Sequence, residues 1–328
     1  MLNVSARHER WPLAQTFTIA RGGRDAADVV VCQVTDGTFT GWGECVPYAR
    51  YGETVESVLS QIEAAGAKLP KEHPREALQS TMPAGAARFA MDAALWDLEA
   101  KQAKQSVWET LGVRTANPLT TAYTISFGPA EKMASDAAKE NHRPLLKIKL
   151  ASPEDLPRLE AVRAAAPNSD LVVDANEGWR LEDFTAIAPA LAKAGVKVVE
   201  QPLPADADAP LKAGSFPFAL CADESVHDRA SLVKVIGHYD MINIKLDKTG
   251  GLTEALAMKQ AAQDAGLKIM VGCMVGTSLA MAPAMALAHD ADVVDLDGPL
   301  LMKEDRPGGM VFEGSKMHFP KADFWGGA

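Results

Sequence analysis

Two lysines, Lys147 and Lys149, stand two positions apart in the short apolar stretch 145–150. Side chains alternate between faces along a strand, so both amines point one way while Leu146 and Ile148 point the other. If this strand lines a barrel, the two amines project into the interior. Close ammonium groups repel each other, which favours loss of one proton and produces a usable base. A strand with a solvated lysine face is the structural alternative.

Carboxylates end the next three apolar runs of the sequence, as Asp174, Glu200 and Asp223. Three such groups converging without a partner would repel strongly, so we expect a cation between them. Ligation by oxygen alone suits Mg²⁺, and the lack of His or Cys at these positions argues against Zn²⁺. We therefore predict a magnesium site. Each carboxylate taken singly is equally explained as the cap of a following helix.

Lys245 ends a later run, in the sequence Ile-Asn-Ile-Lys. In a ring of eight strands the second and the sixth lie opposite, so Lys149 and Lys245 would reach a ligand from two sides. Such a pair can remove a proton from one face of a carbon and return it to the other. A substrate carboxylate bound to Mg²⁺ would acidify that carbon by stabilising an enediolate. The arrangement predicts epimerisation α to a carboxylate, with Lys147 as electrostatic support.

An acidic pair, Asp295 and Asp297, shares one face at the end of the eighth run. We expect it to bind a cationic substrate group such as an α-ammonium. The structural alternative is a salt bridge to a lysine inside the barrel.

Arginines in two irregular segments of the first part of the chain are candidates for a second substrate carboxylate. They are Arg21, Arg24 and Arg50, and Tyr48 lies in the same segment as Arg50. Arg24 is our choice among the three. An ammonium site and two carboxylate sites together predict a small-molecule substrate of the type of an acidic dipeptide.

The elements that must position these residues form two patterns. Up to about residue 116, a β-rich stretch with a hairpin at Asp36-Gly37 precedes helical patterns at 54–67 and 86–101, which is an α+β order. From residue 117, short apolar runs alternate with helical segments, the pattern of parallel strands with crossover helices. We predict a TIM-type barrel without its last helix. The eight runs begin near Leu119, Leu145, Leu171, Val196, Phe218, Met241, Lys268 and Asp292.

The predicted division is a capping domain at 1–116, a barrel at 117–310 and a tail at 311–328 that returns to the capping domain. The 328 residues are 47% hydrophobic and 23% charged, which allows a sizeable core. A net charge of -10 argues against nucleic acid or an anionic membrane as partner. Four dispersed cysteines, and no apolar stretch of about 18 residues, predict a reduced, soluble, cytoplasmic protein. A homo-oligomer is left open.

The motifs together resemble the enolase superfamily, in its muconate-lactonising-like subgroup. The Lys-x-Lys pair, the Asp, Glu, Asp set and Lys245 match that subgroup, and the handling of protons by lysine beside Mg²⁺ is typical of it. Within it the chain resembles the dipeptide epimerases, through the segments 19–24, 43–53, 243–252 and 295–299. The resemblance implies a (β/α)7β barrel with an α+β capping domain, an ammonium role for Asp295 and Asp297, and a substrate loop containing Cys273 and Met274.

The resemblance also implies L-Ala-D/L-Glu as the dipeptide, and a place in murein peptide recycling. Three alternatives stay open at this point. One is epimerisation of a different dipeptide. Another is an elimination or cycloisomerisation, as in o-succinylbenzoate synthase or muconate cycloisomerase, which uses the same lysines but needs no ammonium site. The most distant is a barrel that binds a ligand without catalysis, which leaves the opposed lysines unexplained.

Overall fold

The computed structural model describes residues 2–19, 22–115, 117–150 and 152–327. Its first part is an antiparallel sheet of β1 (Asn3–Ile19), β2 (Gly22–Thr35) and β3 (Thr40–Cys45), in that order. The predicted hairpin at Asp36-Gly37 is confirmed. Asp36 Oδ1 accepts the backbone N–H groups of Thr38 at 2.7 Å and Phe39 at 2.8 Å, the local bonding that makes Asp a turn residue.

Among the described residues, four α-helices follow the sheet: α1 (Val55–Gly66), α2 (Pro74–Thr81), α3 (Ala86–Ala103) and α4 (Val107–Thr110). The two predicted helices correspond to α1 and α3, whereas α2 was not predicted. α3 packs directly on β3, and Gly43 allows this close approach because any Cβ there would lie 2.1 Å from Ala90 O. This close approach buries α3 on nearly every side, including Asp92 and Asp97. The stripe predicted from helical spacing is therefore only part of its buried surface.

The first predicted barrel run divides into two strands. β4 (Leu119–Thr120) lies outside the barrel, and the first barrel strand is β5 (Tyr123–Ile125). The other barrel strands are β6 (Leu145–Lys149), β7 (Asp170–Asp174), β8 (Val196–Glu200), β9 (Ala219–Ala222), β10 (Met241–Lys245), β11 (Lys268–Gly272) and β12 (Val293–Asp295). They pair in parallel in sequence order, and Ala122 N donates to Val294 O at 2.8 Å across the seam between the first and last strands. This is the predicted TIM-type barrel.

In the part of the barrel that the structure describes, six α-helices connect the strands: α5 (Ala130–Lys139), α6 (Leu156–Ala165), α7 (Leu181–Lys193), α8 (Leu246–Thr249), α9 (Leu252–Asp264) and α10 (Ser278–Ala288). The crossover 201–218 contains no α-helix in the structure, since four prolines interrupt it. A 3₁₀ helix (Arg229–Lys234) connects β9 to β10. After β12, the sole helix in the described residues is the short 3₁₀ helix Gly298–Leu301, as expected for a barrel without its last helix.

The C-terminal segment contacts both parts of the chain. Its strands β13 (Phe312–Glu313) and β14 (Lys316–Met317) form a hairpin, and β14 pairs with β4. This pairing explains why the run at Leu119 is not a barrel strand. Farther on, Trp325 Nε1 donates to Trp42 O at 3.0 Å and to Ala93 O at 3.2 Å, both in the capping domain. The boundaries 1–116, 117–310 and 311–328 themselves stay a prediction.

Alternation along the barrel strands builds an apolar layer under a charged one. Val172, Val198, Cys221, Met241 and Met270 form a separate buried cluster inside the barrel. Two residues farther along three of these strands stand Asp174, Glu200 and Asp223, because every second side chain faces the same side. The hydrophobic layer therefore fills the interior and leaves the charged groups at the carboxyl ends of the strands, where barrel enzymes bind their substrates.

Candidate active site

Lys147 is the centre of a buried charge cluster. Its Nζ lies 2.6 Å from Glu200 Oε2, 2.7 Å from Asp295 Oδ2 and 3.3 Å from Asp174 Oδ2. Burial lowers the pKa of Lys147, but Asp295, Glu200 and Asp174 outweigh burial and hold this pKa well above its usual value. Repulsion from Lys149 therefore does not make Lys147 the neutral amine, and its predicted role as electrostatic support stays a prediction. Carboxylates, rather than the second amine, dominate its surroundings, so it is a fixed positive charge.

The other two predicted lysines are each bound to one carboxylate of the predicted metal set. Lys149 Nζ lies 2.5 Å from Asp174 Oδ2, and Lys245 Nζ lies 2.6 Å from Asp223 Oδ2. Burial lowers the pKa of Lys245, but Asp223 and Glu200 raise it well above its usual value. Both amines line one pocket, on β6 and β10, which are the second and sixth strands of the barrel. The structure thus brings together the pair that the sequence predicts.

The three predicted metal carboxylates are buried at neighbouring strand ends, where Asp174 is paired in register with Glu200. The pKa of Glu200 is raised to about 7, mainly by burial and also by Asp174, although Lys147 lowers it. Burial also raises the pKa values of Asp174 and Asp223, but the adjacent lysines overcome it and hold both values below normal. Of the three carboxylates, only Glu200 therefore has a raised pKa, chiefly because it is buried, and repulsion from Asp174 adds to the effect.

The donor chemistry of this set fits a hard cation such as Mg²⁺, since it is all oxygen. The site also has more acidic than basic side chains, with six buried carboxyl groups (Asp174, Glu200, Asp223, Glu224, Asp295 and Asp297) beside four buried lysines (Lys147, Lys149, Lys245 and Lys248). Ammonium groups lie between the carboxylates. In the described ranges, no three His, Cys, Asp or Glu side chains already stand gathered as a metal cage. The set therefore fits Mg²⁺ by its oxygen donors and by its excess of acidic side chains.

Two residues beside Lys245 were missed by the sequence reasoning. Lys248 Nζ donates to Asp223 Oδ1 at 2.6 Å, so the two oxygens of Asp223 are held by different lysines. Asn243 Nδ2 donates to Glu200 Oε1 at 2.8 Å, and a Cβ on Gly272 would lie 2.6 Å from Asn243 Oδ1. The usable signal was position: Asn243 is two residues before Lys245 on the same strand face, and Lys248 is one helical turn after it.

The acidic pair after β12 has two different environments. Asp295 is bound by Lys147, which is the salt bridge that the structural alternative describes. Asp297 Oδ2 instead accepts the backbone N–H of Thr124 at 2.7 Å, across the barrel seam. Burial raises the pKa of Asp297 to about 6, with a contribution from Asp295. Both carboxylates line the pocket, so an ammonium group there would find at least one acceptor.

Arg24 and Tyr48 of the capping domain line the same pocket, and the guanidinium carbon of Arg24 lies 5.9 Å from the ring centroid of Tyr48. The prediction of an irregular segment is wrong for Arg24, because it lies in β2 and is paired with Phe17 of β1. Arg50 does not belong to the pocket lining. Its guanidinium is bound by Glu177 instead, with Nη2 2.9 Å from Oε1. Arg21 lies outside the described residues. Phe17 and Tyr51, which the sequence reasoning did not single out, complete the capping wall of the pocket.

Cys273 and Met274 line the pocket from the loop after β11, as the resemblance implied. Burial raises the pKa of Cys273 well above its usual value, so its thiol is neutral. The loop is held from outside by Glu44, which accepts the Thr277 backbone N–H at 2.7 Å and is 2.6 Å from Arg306 Nη2. The pocket is lined by Phe17, Ile19, Arg24, Tyr48, Tyr51, Thr124, Lys147, Lys149, Asn176, Asp223, Glu224, Lys245, Cys273, Met274, Val275, Asp295, Asp297 and Leu301.

The protein has a capping α+β domain above a parallel barrel, with lysines on opposite strands and carboxylates on the strands between them. This combination is typical of a class of barrel proteins that transfer protons at a carbon beside a carboxylate. Sequence comparison agrees with this class. Residues 1–112 match the N-terminal domain of mandelate racemase / muconate lactonizing enzyme, and residues 130–322 match the enolase C-terminal domain-like family. The chain belongs to the enolase superfamily, in its mandelate racemase and muconate lactonizing enzyme branch.

Individual relatives are similar over almost the whole chain. An L-Ala-D/L-Glu epimerase of Escherichia coli is 43% identical, over 97% of this chain and all (100%) of that protein. An N-acetyl-D-glutamate racemase of Pseudoalteromonas is also 43% identical, over 92% of this chain and 96% of that protein. A crystal structure of an enolase family member of Agrobacterium tumefaciens, with bound sodium and L-Ala-L-Glu, has a TM-score of 0.96 and 50% identity, covering 99% and 100% of the two chains.

Metal and dipeptide also occur in a more distant neighbour. A dipeptide epimerase of Enterococcus faecalis, complexed with Mg and L-Leu-L-Tyr, has a TM-score of 0.91 and 29% identity, covering 99% of this chain and 98% of that one. No helix in the described parts of the present chain is both long and apolar enough to span a bilayer.

Proposed function

We propose that this chain is a Mg²⁺-dependent dipeptide epimerase of the L-Ala-D/L-Glu type, acting by two-base proton transfer at the carbon α to a carboxylate. The observation that carries the proposal is the pair of lysines on the second and sixth barrel strands. Each amine is bound to a carboxylate of the predicted metal set, and both line one pocket. A pocket with an amine on each of two opposed strands suits inversion at a carbon between them.

In this mechanism one of Lys149 and Lys245 removes the α-proton and the other delivers a proton to the opposite face. The roles exchange when the reaction runs in reverse. Lys147 stays protonated, because three carboxylates hold its pKa well above normal, and its charge stabilises negative charge that develops near the pocket floor. Asp174, Glu200 and Asp223 would hold Mg²⁺, which supplies positive charge that makes the α-carbon more acidic.

Substrate orientation follows from the two ends of the pocket. Asp297, with Asp295 beside it, would accept the α-ammonium of the first residue. Arg24, on the capping side, would bind the side-chain carboxylate of the second residue. Cys273 and Met274 form the wall between these ends as an uncharged surface. Cytoplasmic location and a place in murein peptide recycling stay predictions.

A second candidate is racemisation of an N-acylated acidic amino acid. It is supported by the 43% identity to an N-acetyl-D-glutamate racemase and by the salt bridge from Lys147, which neutralises Asp295 without any ligand. Such a substrate has the same carboxylates but lacks the ammonium group. Lyase and cycloisomerase activities are not favoured, because the compared proteins named above are epimerases and racemases.

The test is incubation of the protein with Mg²⁺ in D₂O and each of L-Ala-L-Glu, L-Ala-D-Glu and N-acetyl-L-glutamate, followed by mass spectrometry and chiral chromatography. Dipeptide epimerisation predicts a mass gain of one deuterium with interconversion of the two dipeptides. Preference for N-acetylglutamate by kcat/KM would replace the first candidate with the second. Absence of both exchange and interconversion for all three compounds would contradict the proposed chemistry.

A further inference from the structure

The capping segment 48–52 places two aromatic side chains into the pocket. Ala49–Tyr51 is a single 3₁₀ turn, closed by a hydrogen bond from Tyr51 N to Tyr48 O at 2.9 Å. Gly52 ends it with a positive φ of 76°, which glycine adopts without steric cost. Tyr48 and Tyr51 line the pocket, while Arg50 between them does not. We call residues 48–52 the capping loop.

Arg50 joins the capping loop to the barrel through a bidentate ion pair with Glu177. Arg50 Nε and Nη2 donate to the two carboxylate oxygens of Glu177, both at 2.9 Å. The Glu177 side chain is only 11% exposed, and its Oε1 also accepts the backbone N–H of Ala205 at 3.0 Å. Because the hydrogen bond from Ala205 already fixes the Glu177 carboxylate, this carboxylate is preorganised to bind the Arg50 guanidinium.

Glu177 is held in place by an unusual backbone. It has a φ of 68° and follows Asn176 with a φ of 45°, two successive non-glycine residues in the left-handed region. Glu177 N donates to Gln201 O at 2.9 Å, and Asn176 N donates to Asp174 Oδ1 at 2.9 Å. Unfavourable backbone of this kind persists where the surroundings impose it, and it occurs preferentially at functional sites. The same turn therefore connects the Arg50 partner to a predicted metal carboxylate.

The capping loop makes a second contact with the barrel, at the connection that follows β9. The ring of Tyr51 meets His227 edge to face, with centroids 4.6 Å apart. His227 follows β9, as Glu177 follows β7, so the loop contacts the connections after Asp223 and after Asp174. The two contacts leave Tyr51 in the pocket with Asp223 and Lys245.

We propose that Arg50 and Glu177 form a latch that holds the capping loop over the barrel mouth. Arg50 is then a positioning residue, and Arg24 is the arginine that binds substrate. The kinetic consequence rests on the proposed epimerase function, whereas the structural consequence does not. Losing the latch frees Tyr48 and Tyr51, which weakens substrate binding more than it slows the chemical step.

Charge reversal provides the kinetic test, with Arg50→Glu, Glu177→Arg and the double variant assayed on L-Ala-L-Glu. Each single reversal places like charges together and should raise KM about tenfold, with kcat changed less than about threefold. The double variant restores opposite charges and should return KM to within about threefold of the original. No recovery in the double variant would overturn the latch, because a direct contact of Arg50 with substrate cannot be rescued from position 177. Unchanged KM in the single variants would overturn it as well.

The chain provides a matched control in Arg229 and Glu254. This pair is also bidentate, with Nη2 2.9 Å from Oε2, and its glutamate side chain is 12% exposed. It joins the 3₁₀ helix Arg229–Lys234 to α9 and does not line the pocket. Reversal of Arg229 or Glu254 should leave KM within about twofold of the original. A KM rise equal to that of the Arg50 and Glu177 variants would overturn the assignment of a specific latch.

Limited trypsin digestion tests the latch without any substrate. Glu177→Gln keeps the shape of the side chain but removes the charge that holds Arg50, so cleavage after Arg50 should accelerate about fivefold or more. Glu254→Gln serves as the control and should leave cleavage at this site unchanged. Equal cleavage rates in Glu177→Gln and the original protein would overturn the latch even if the chain proved to epimerise a different substrate. Faster cleavage of Glu177→Gln, together with a lack of epimerase activity in the original protein, would instead contradict only the proposed function.

Discussion

Glu44 and Arg306 form an ion pair between the capping domain and the barrel part of the chain, with Oε2 2.6 Å from Nη2, and the two residues are 262 positions apart in sequence. Glu44 is fully buried and also binds the backbone N–H and the hydroxyl of Thr277, just after the loop that lines the pocket. Burial raises the pKa of Glu44 even though Arg306 and Thr277 lower it. The buried Glu44 carboxylate therefore holds the loop before Thr277 in place, and it would be strongly destabilising without the positive charge of Arg306.

Substitution Arg306→Met should destabilise the protein strongly. It leaves the Glu44 carboxylate buried without its main counter-charge, which costs about 3–5 kcal/mol in the free energy of unfolding. The double variant Glu44→Gln with Arg306→Met removes the isolated charge and should recover part of this loss. Urea unfolding followed by circular dichroism measures both values. A double variant less stable than Arg306→Met alone would contradict this account of Glu44.

Substitution of either opposed lysine should abolish epimerisation while sparing one half-reaction. Lys149→Ala and Lys245→Ala each remove one general acid/base, a group that contributes about 10²–10⁴-fold to rate, so interconversion should fall by at least that factor. Exchange of the α-proton with deuterium should persist from the face of the remaining lysine. Proton NMR in D₂O, started from each dipeptide epimer, measures the two exchanges separately. Full epimerase activity in Lys245→Ala would contradict the two-base mechanism.

A control for these substitutions is Lys259→Met. Lys259 is a buried lysine on α9 that donates to Leu287 O at 2.8 Å and pairs with Asp290, away from the pocket. Its loss should lower stability but leave the rate per folded molecule unchanged. The comparison separates loss of an acid/base group from loss of a buried ammonium.

Removal of one predicted metal carboxylate should weaken Mg²⁺ binding directly. Glu200→Gln keeps the size of the side chain but removes the middle charge of the set, and we expect the Mg²⁺ dissociation constant to rise by about a hundredfold or more. Titration calorimetry with MgCl₂ measures this without any substrate. Asp92→Asn, at another fully buried carboxylate on α3, is the control and should bind Mg²⁺ normally. Equal affinity in Glu200→Gln would exclude Glu200 as a ligand.

Stability should fall toward alkaline pH because of Asp247. Burial raises the pKa of Asp247 from 3.8 to about 8, although the Val46 N–H bound at 2.7 Å lowers it. The folded protein therefore holds this proton more tightly than the unfolded chain. The associated stabilisation is complete below about pH 4 and is lost as the pH rises through about 8. Asp247→Asn keeps an oxygen for Val46, so its free energy of unfolding should depend less on pH between 5 and 9.

The measurement for Asp247 is a set of urea unfolding curves at several pH values for the original protein and Asp247→Asn. The difference between the two should change by a few kcal/mol in favour of the variant toward pH 9. Parallel profiles would show that Asp247 does not titrate in this range.

The site residues that could be predicted are those whose place at the end of a strand is visible in the sequence. Asp174, Glu200 and Lys245 each end a short apolar run, and alternation along the strand places them on the inner face whatever their neighbours are. The eight-strand order followed from the strand and helix alternation in the same way. Because these features depend on local periodicity, the sequence alone was enough to predict them.

The parts that were not predicted depend on distant partners or on local interruptions of the pattern. No periodicity connects Glu44 to Arg306, or Arg50 to Glu177, so these ion pairs emerge only from the folded arrangement. The pKa of Lys147 depends on three carboxylates from three different strands, whereas the sequence offered only its neighbour Lys149. The crossover 201–218 lost its helix to prolines that the alternation rule does not consider.

The hydrogen bond from Thr124 N to Asp297 Oδ2 means that a residue proposed to recognise substrate also closes the cylinder. Recognition and mechanical integrity are therefore selected together at this position. A relative that changes Asp297 to alter its preference for the first residue of a peptide must join the first barrel strand to the last by some other hydrogen bond. Diversification of ligand choice should for this reason proceed more readily through the side chain of Arg24, which lies in β2 of the capping sheet and away from the junction between the first and last barrel strands.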